Sequence, residues 1–94
     1  MSNGAVAAAA AGAAIAKAIK ASGVVVRVSP DDFQALLARA KGALVVHAKG
    51  GLFSTQYSYL VGYKGLAFFT KSPEPLRLPA DVETIQAEKI WVPG

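Results

Sequence analysis

"VVVRVSPDDFQALLARAKGALVVHA", residues 24–48, is the stretch that decides the fold of this chain. Residues 24–28 are almost all valine, which predicts a strand. Ser29 is a typical N-cap and Pro30 a favoured first helical residue, so a helix begins there. Its apolar residues recur at helical spacing, at Phe33, Leu36, Leu37 and Ala40. Gly42 then ends the helix, which therefore has one apolar face.

A second strand follows at once in "ALVVHAK", residues 43–49. A strand, a helix and a strand in succession normally form a right-handed crossover. We therefore expect the second strand to lie parallel to the first, either adjacent to it or one strand removed.

Residues 24–48 resemble the first strand, helix and second strand of the thioredoxin fold, in which a polar cap and a phenylalanine begin the helix. The resemblance covers about 25 residues. After Ala48 the chain continues "KGGLFSTQYSY", without the pair of cysteines that thiol redox chemistry needs.

Two turn signals organise the next part of the chain. Gly50-Gly51 and Lys64-Gly65 each separate apolar runs, which predicts an antiparallel meander. If both loops have two residues, Lys49 faces Leu52. One side of the sheet, the expected core, would then carry Leu44, Val46, Ala48, Phe53, Thr55, Tyr57, Tyr59, Val61, Tyr63, Leu66 and Phe68. The other side would carry His47, Lys49, Ser54, Gln56, Ser58 and Lys71 with Val45, Leu60 and Phe69, either solvated or covered by a helix.

The C-terminal part predicts one more strand. "SPEPLRLPAD", residues 72–81, contains three prolines and indicates an extended surface connection. Residues 82–93 have strong β formers at both ends and a polar middle. We expect an edge strand there, with a bulge near Ala87 and Glu88 and with Trp91 as a core anchor.

The N-terminal stretch "GAVAAAAAGAAIAKAIKASG", residues 4–23, predicts a helix. Alanine has the best intrinsic helix propensity, Ser2 or Asn3 suits the N-cap, and Gly23 suits a left-handed end. The uncharged run from Gly4 to Ala16 has only 13 residues. That is too short to span a bilayer.

On a helical wheel, this helix carries a seam of small residues. Such a seam lets two backbones approach closely, which favours packing against another helix. The residues expected to mediate self-association are Gly4, Ala8, Ala11, Gly12, Ile15, Ala18, Ile19 and Ser22. The alternatives are that the helix packs on the chain's own sheet or lies on a membrane surface.

These elements predict an α+β fold: a mixed, mainly antiparallel sheet of about five strands with one packed helix, preceded by the alanine-rich helix. The expected domains are the alanine-rich helix at residues 1–23 and a single small domain at residues 24–94.

Composition and charge limit the cellular locations and the kinds of partner that we expect for this protein. Hydrophobic residues make up 53% of the chain and charged residues 17%, which is typical of a folded protein. The absence of cysteine fits a reducing compartment. Lys17 and Lys20 follow the first apolar stretch, whereas a secretory signal has its positive charge before it. We expect a cytoplasmic protein, with peripheral membrane attachment as an alternative. The formal charge of +4 is scattered along the sequence, so nucleic-acid binding is not expected.

The sequence contains no strong catalytic or metal motif. His47 is the only histidine, and a pairing with Ser54 across the Gly50-Gly51 turn would still lack an orienting carboxylate. One histidine supplies a single metal ligand where a site needs three or four. "KGGLF" lies between two strands, so it does not form a phosphate cradle. We predict no catalytic, cofactor or metal site and no small-molecule substrate.

The sequence therefore predicts a non-enzymatic, self-assembling structural or interaction module. It would form homo-oligomers through the small-residue face of the N-terminal helix. One alternative is a peripheral membrane adaptor that uses the same helix. Another is a nucleic-acid-binding domain that uses the sheet aromatics and basic turns.

Overall fold

In the part of the chain that the computed structural model describes, two helices enclose a five-stranded sheet. The structure describes residues 3–50 and 55–90, and for residues 3–8 it describes the backbone alone. The elements in chain order are α1 (Asn3–Ala21), β1 (Val25–Arg27), α2 (Pro30–Arg39), β2 (Leu44–Lys49), β3 (Tyr57–Tyr63), β4 (Leu66–Ser72) and β5 (Glu83–Gln86).

The strand order is β1-β4-β3-β2-β5, and the predicted α+β class with a mixed sheet is confirmed. Two pairings are parallel, β1 with β4 and β2 with β5, and the two that involve β3 are antiparallel. The sheet is thus less antiparallel than expected, because only β3 runs against the other four strands. β1 and β2 are parallel, but two strands, β4 and β3, lie between them. The prediction of at most one intervening strand was wrong because the β3–β4 hairpin inserts between them.

The predicted start of α2 is confirmed in detail. The Ser29 side-chain oxygen accepts a hydrogen bond from the Asp32 backbone N–H at 3.2 Å, and Pro30 is the first helical residue. The cap satisfies one of the backbone donors that a helix start leaves unpaired. After α2 ends, Gly42 adopts a φ of 77°, a backbone conformation that favours glycine.

The β3–β4 turn also forms as predicted. Tyr63 pairs with Leu66, so Lys64 and Gly65 are the two loop residues. Their φ angles are 51° and 78°, and two positive values are typical of a type I′ hairpin turn.

The predicted β2–β3 register was wrong. Lys49 pairs with Tyr57 instead of Leu52, and the Gly50 N–H donates to the Gln56 carbonyl at 2.7 Å. The connection therefore spans residues 50–56, and Thr55 is exposed within it. Because the register moves by an odd number of residues, β2 is turned over relative to the prediction. The pattern did not reveal this, since strands covered on both faces read as continuous apolar runs.

One face of the sheet packs against α2. The buried residues of this cluster are Phe33, Leu37, Val45, Tyr59, Val61 and Val82. Residues 73–82 cross the same face without regular structure, as the prolines predicted, and Leu76 and Leu78 pack on the cluster. The Leu76 backbone N–H donates to the Tyr59 hydroxyl oxygen at 2.9 Å, which anchors this connection to β3.

The opposite face is covered by α1. Its buried cluster contains Ala16, Val46, Ala48, Leu60, Ala67, Phe69 and Ala87, with Ile15 and Ile19 packed against it. Four of the seven are alanines, so the helix approaches the sheet closely. A Cβ built on Gly12 would lie 2.7 Å from the Gln86 carbonyl carbon and 2.9 Å from the Ala87 nitrogen. The contact thus leaves no room for a side chain at position 12.

The end of α1 differs from the expected left-handed cap. Gly23 does not have a positive φ. It is instead needed for space, because a Cβ there would meet the Gly65 carbonyl oxygen. The chain therefore enters β1 beside the β3–β4 turn.

Several predicted features lie outside the described residues: the cap at Ser2, the strand positions of Leu52, Phe53 and Ser54, and the anchor Trp91. β5 is an edge strand, as predicted. It ends at Gln86, and the Ala87 N–H adds one more hydrogen bond, to the His47 carbonyl at 2.7 Å.

We expect Phe33→Ala to cost about 3–5 kcal/mol in the free energy of unfolding, because the ring is fully buried between α2 and the sheet. Ser29→Ala should cost about 1 kcal/mol through loss of the cap. Urea titrations measure both values. If Phe33→Ala stays within about 0.5 kcal/mol of the parent, the described packing of α2 is contradicted.

Gly12→Leu should destabilise the whole chain by about 1–3 kcal/mol, because the new side chain meets backbone that cannot rotate away. Ala13→Leu is the matched control, since Ala13 is exposed on the same helix. Thermal melts at low protein concentration compare the two variants. Equal stabilities would show that α1 does not pack on the sheet.

Candidate functional site: lysine-lined clefts at the carboxyl end of the sheet

The carboxyl ends of β2, β4 and β5 meet at one end of the sheet. In open, mostly parallel α/β sheets, ligands bind beyond the carboxyl ends of the strands. The buried Ala87 packs beside Gly12 and donates its N–H to the His47 carbonyl, so it fixes the chain just past β5. Glu88 and Lys89 therefore emerge between α1 and the end of the sheet.

The first cleft lies between α1 and this segment and has a volume of about 360 Å³. Ala13 and Ala16 of α1 line it, and their small side chains leave space beside the helix. The charged residues that line it are Lys17, Lys20, Glu88 and Lys89.

The second cleft, of about 310 Å³, shares Glu88 and Lys89 with the first. It adds Lys49, the last residue of β2, and Lys71 of β4. Ala48, Ser58 and Lys71 are successive cross-strand partners, so they form one row across β2, β3 and β4. The two clefts are adjacent and are called the lysine clefts below.

The net positive charge of the chain is concentrated at the lysine clefts. They contain five of its ten basic residues, Lys17, Lys20, Lys49, Lys71 and Lys89, and one of its six acidic residues, Glu88. The five basic and five acidic residues elsewhere cancel, so the formal charge of +4 is concentrated here. Lys17, Lys49, Lys71 and Lys89 are exposed, and Lys20 is half-buried.

Sequence reasoning missed this site. The five lysines lie on α1, β2, β4 and the segment after β5, so they do not form a cluster of basic residues in the sequence. Only the parallel β2–β5 pairing and the position of α1 bring them together.

A further cleft of about 280 Å³ lies between α2 and the β1 side of the sheet. Its charged residues are Asp32 and Arg39, which balance each other. It therefore has no electrostatic preference comparable to that of the lysine clefts.

The structure divides the residues predicted for self-association. Gly12 is buried, and Ile15 and Ile19 pack on the sheet, so these three serve the chain's own fold. Ala11, Ala18 and Ser22 are exposed, and the Ser22 hydroxyl donates to the Ile19 carbonyl at 2.8 Å. Gly4 and Ala8 lie in α1, in the part described by its backbone alone.

His47 lies on the α2 side of the sheet, contrary to the predicted face. Its ring stacks on Tyr59 with 6.2 Å between the ring centroids. Burial lowers the pKa of His47 below its ordinary value of 6.5, because a buried environment disfavours the charged ring. Its predicted neighbour Ser54 lies outside the described residues.

Within residues 3–50 and 55–90, no group of three or more His, Cys, Asp or Glu residues is placed to hold a metal ion. No helix there is long and apolar enough to cross a membrane.

His47→Gln should flatten the dependence of stability on pH. Between about pH 6.5 and the lowered pKa of His47, the unfolded chain binds more protons than the folded one. Stability therefore falls as the pH is lowered through this window, and the variant lacks this contribution. Urea titrations at a series of pH values measure the slope. An unchanged slope would mean that His47 titrates alike in both states.

Comparison of the chain with protein-family models, with curated proteins and with solved structures gives no match.

Proposed function

We propose that this protein is a non-enzymatic interaction module that associates with further copies of itself through the outer face of α1. The observation that supports the proposal is the division of α1 into two faces. The inner face, with Gly12, Ile15, Ala16 and Ile19, is occupied by the chain's own sheet.

The outer face presents a strip without charge or bulk. Its residues, called the alanine strip below, are Ala10, Ala11, Ala14, Ala18, Ala21 and Ser22, all of them exposed. On the helical wheel Lys17 lies at one border of the strip. Two such strips can pack with their backbones close together, and dispersion contacts then accumulate along the helix.

The area of the alanine strip limits how strongly two copies can associate. The strip runs from Ala10 to Ser22, about 20 Å of helix that is about 10 Å wide, so it covers roughly 200 Å². Two copies would bury roughly 400 Å², which is well below the 1,200 Å² or more of a stable interface. The association we propose is therefore weak and depends on protein concentration.

The membrane alternative needs large apolar side chains on the outer face of a helix. Among the residues whose side chains are described, the outer face of α1 offers alanine, while Ile15 and Ile19 are turned to the sheet. The alternative that uses sheet aromatics needs accessible rings for stacking. Tyr59 and Phe69 are only 4% and 1% exposed, and Tyr57, Tyr63 and Phe68 are half-buried.

Ala18→Glu should abolish self-association, because it places like charges opposite each other between two copies. Glutamate is a good helix former, so α1 should remain intact. Ala38→Glu makes the same chemical change on the exposed face of α2 and is the control. Sedimentation velocity over a wide concentration range measures the result.

A parent protein that sediments as a monomer up to millimolar concentration would refute self-association. Equal loss in Ala18→Glu and Ala38→Glu would place the contact elsewhere.

A further inference from the structure

We infer that the lysine clefts bind the phosphodiester backbone of a single strand of nucleic acid, without sequence selection. This goes beyond self-association and uses other residues: the clefts lie beside α1 at Glu88 and Lys89, while the alanine strip is on its outer face.

The first argument is the distribution of charge. A nucleic-acid footprint requires basic residues that cluster on one face. The sequence suggests scatter, yet five lysines from four parts of the chain converge on two adjoining clefts that carry the formal charge of +4. An anionic partner meets its strongest attraction here.

The second argument is shape. The clefts share Glu88 and Lys89, so they adjoin, and their other lysines come from α1 in the first cleft and from β2 and β4 in the second. Two adjoining basic clefts suit a linear polyanion. A bilayer surface is flat, and its binding is helped by large apolar side chains that insert. The apolar residues described around the clefts are small, apart from the half-buried Ile90.

The third argument concerns selectivity. All five basic residues are lysines, which act as point charges, whereas arginine supplies planar, bidentate recognition. Arg27, Arg39 and Arg77 lie outside the clefts. Among the described residues, no aromatic side chain lines either cleft, so the clefts offer no platform for bases. The described residues therefore contact the backbone and do not read the sequence.

The experiment measures binding of the full chain to a labelled oligothymidylate by fluorescence anisotropy, between about 50 and about 200 mM salt. The logarithm of the affinity should fall linearly with the logarithm of the salt concentration, with a slope of roughly −0.7 for each phosphate contacted in a single strand. The double variant Lys17→Gln/Lys71→Gln removes one exposed lysine from each cleft. It should reduce the slope by roughly 1 to 1.5.

The matched control is Lys41→Gln/Arg77→Gln, which removes two exposed positive charges outside the clefts. It should leave the slope unchanged. Glu88→Gln should tighten binding, a gain that unfolding cannot produce, while Glu83→Gln makes the same change on β5, outside the clefts. Circular dichroism verifies that each variant is folded.

Four results would overturn the inference: no binding at the lowest salt concentration, equal losses in the two double variants, binding to phosphatidylserine vesicles but not to the oligonucleotide, or equally strong binding to polyglutamate. The third result would assign the clefts to a membrane surface, and the fourth to an acidic protein.

Discussion

The short distance between α1 and the sheet is the constraint on which the rest of the structure depends. Among the described side chains of α1 that face the sheet, only Ile15 and Ile19 are large and apolar. The helix therefore buries apolar surface only by lying close to the sheet. Gly12 permits this beside Gln86, and Gly62 permits it below Ile19, where a Cβ would lie 3.3 Å from the Ile19 Cγ2 atom. The close packing of α1 on the sheet places Lys17 and Lys20 beside the segment after β5 and leaves the alanine strip exposed to solvent.

Local structure could be predicted from the sequence wherever one residue type has a strong backbone preference. Ser29 and Pro30 start α2, and Lys64 with Gly65 forms the tight hairpin turn. Gly50 and Gly51 carry the same type of signal, but Lys49 pairs with Tyr57 and not with Leu52. A glycine pair permits a tight turn without requiring one, and Val45 and Val46 are both buried, so the apolar pattern could not fix the register.

The candidate site could not be predicted for a different reason. Long-range pairing determines which dispersed residues become neighbours, and β1 and β2 proved to be two strands apart. The face of α1 that packs on the sheet could not be predicted either. Alanine, glycine and serine differ little in hydrophobicity, so the helical wheel does not distinguish a buried face from an exposed one. The predicted seam included Ala11 and Ala18, whereas the packed face uses Ala16 in their place.

The edges of the sheet are short, since β1 has three residues and β5 has four. An edge strand exposes unpaired N–H and C=O groups that can recruit a strand from another molecule, and a short edge exposes few of them. Long, flat edges lead towards amyloid-like stacking, in which backbone hydrogen bonds join one copy to the next without limit. In this fold the edges offer little room for such growth. Under the self-association that we propose, contacts between copies would then depend on side chains, which would limit their extent.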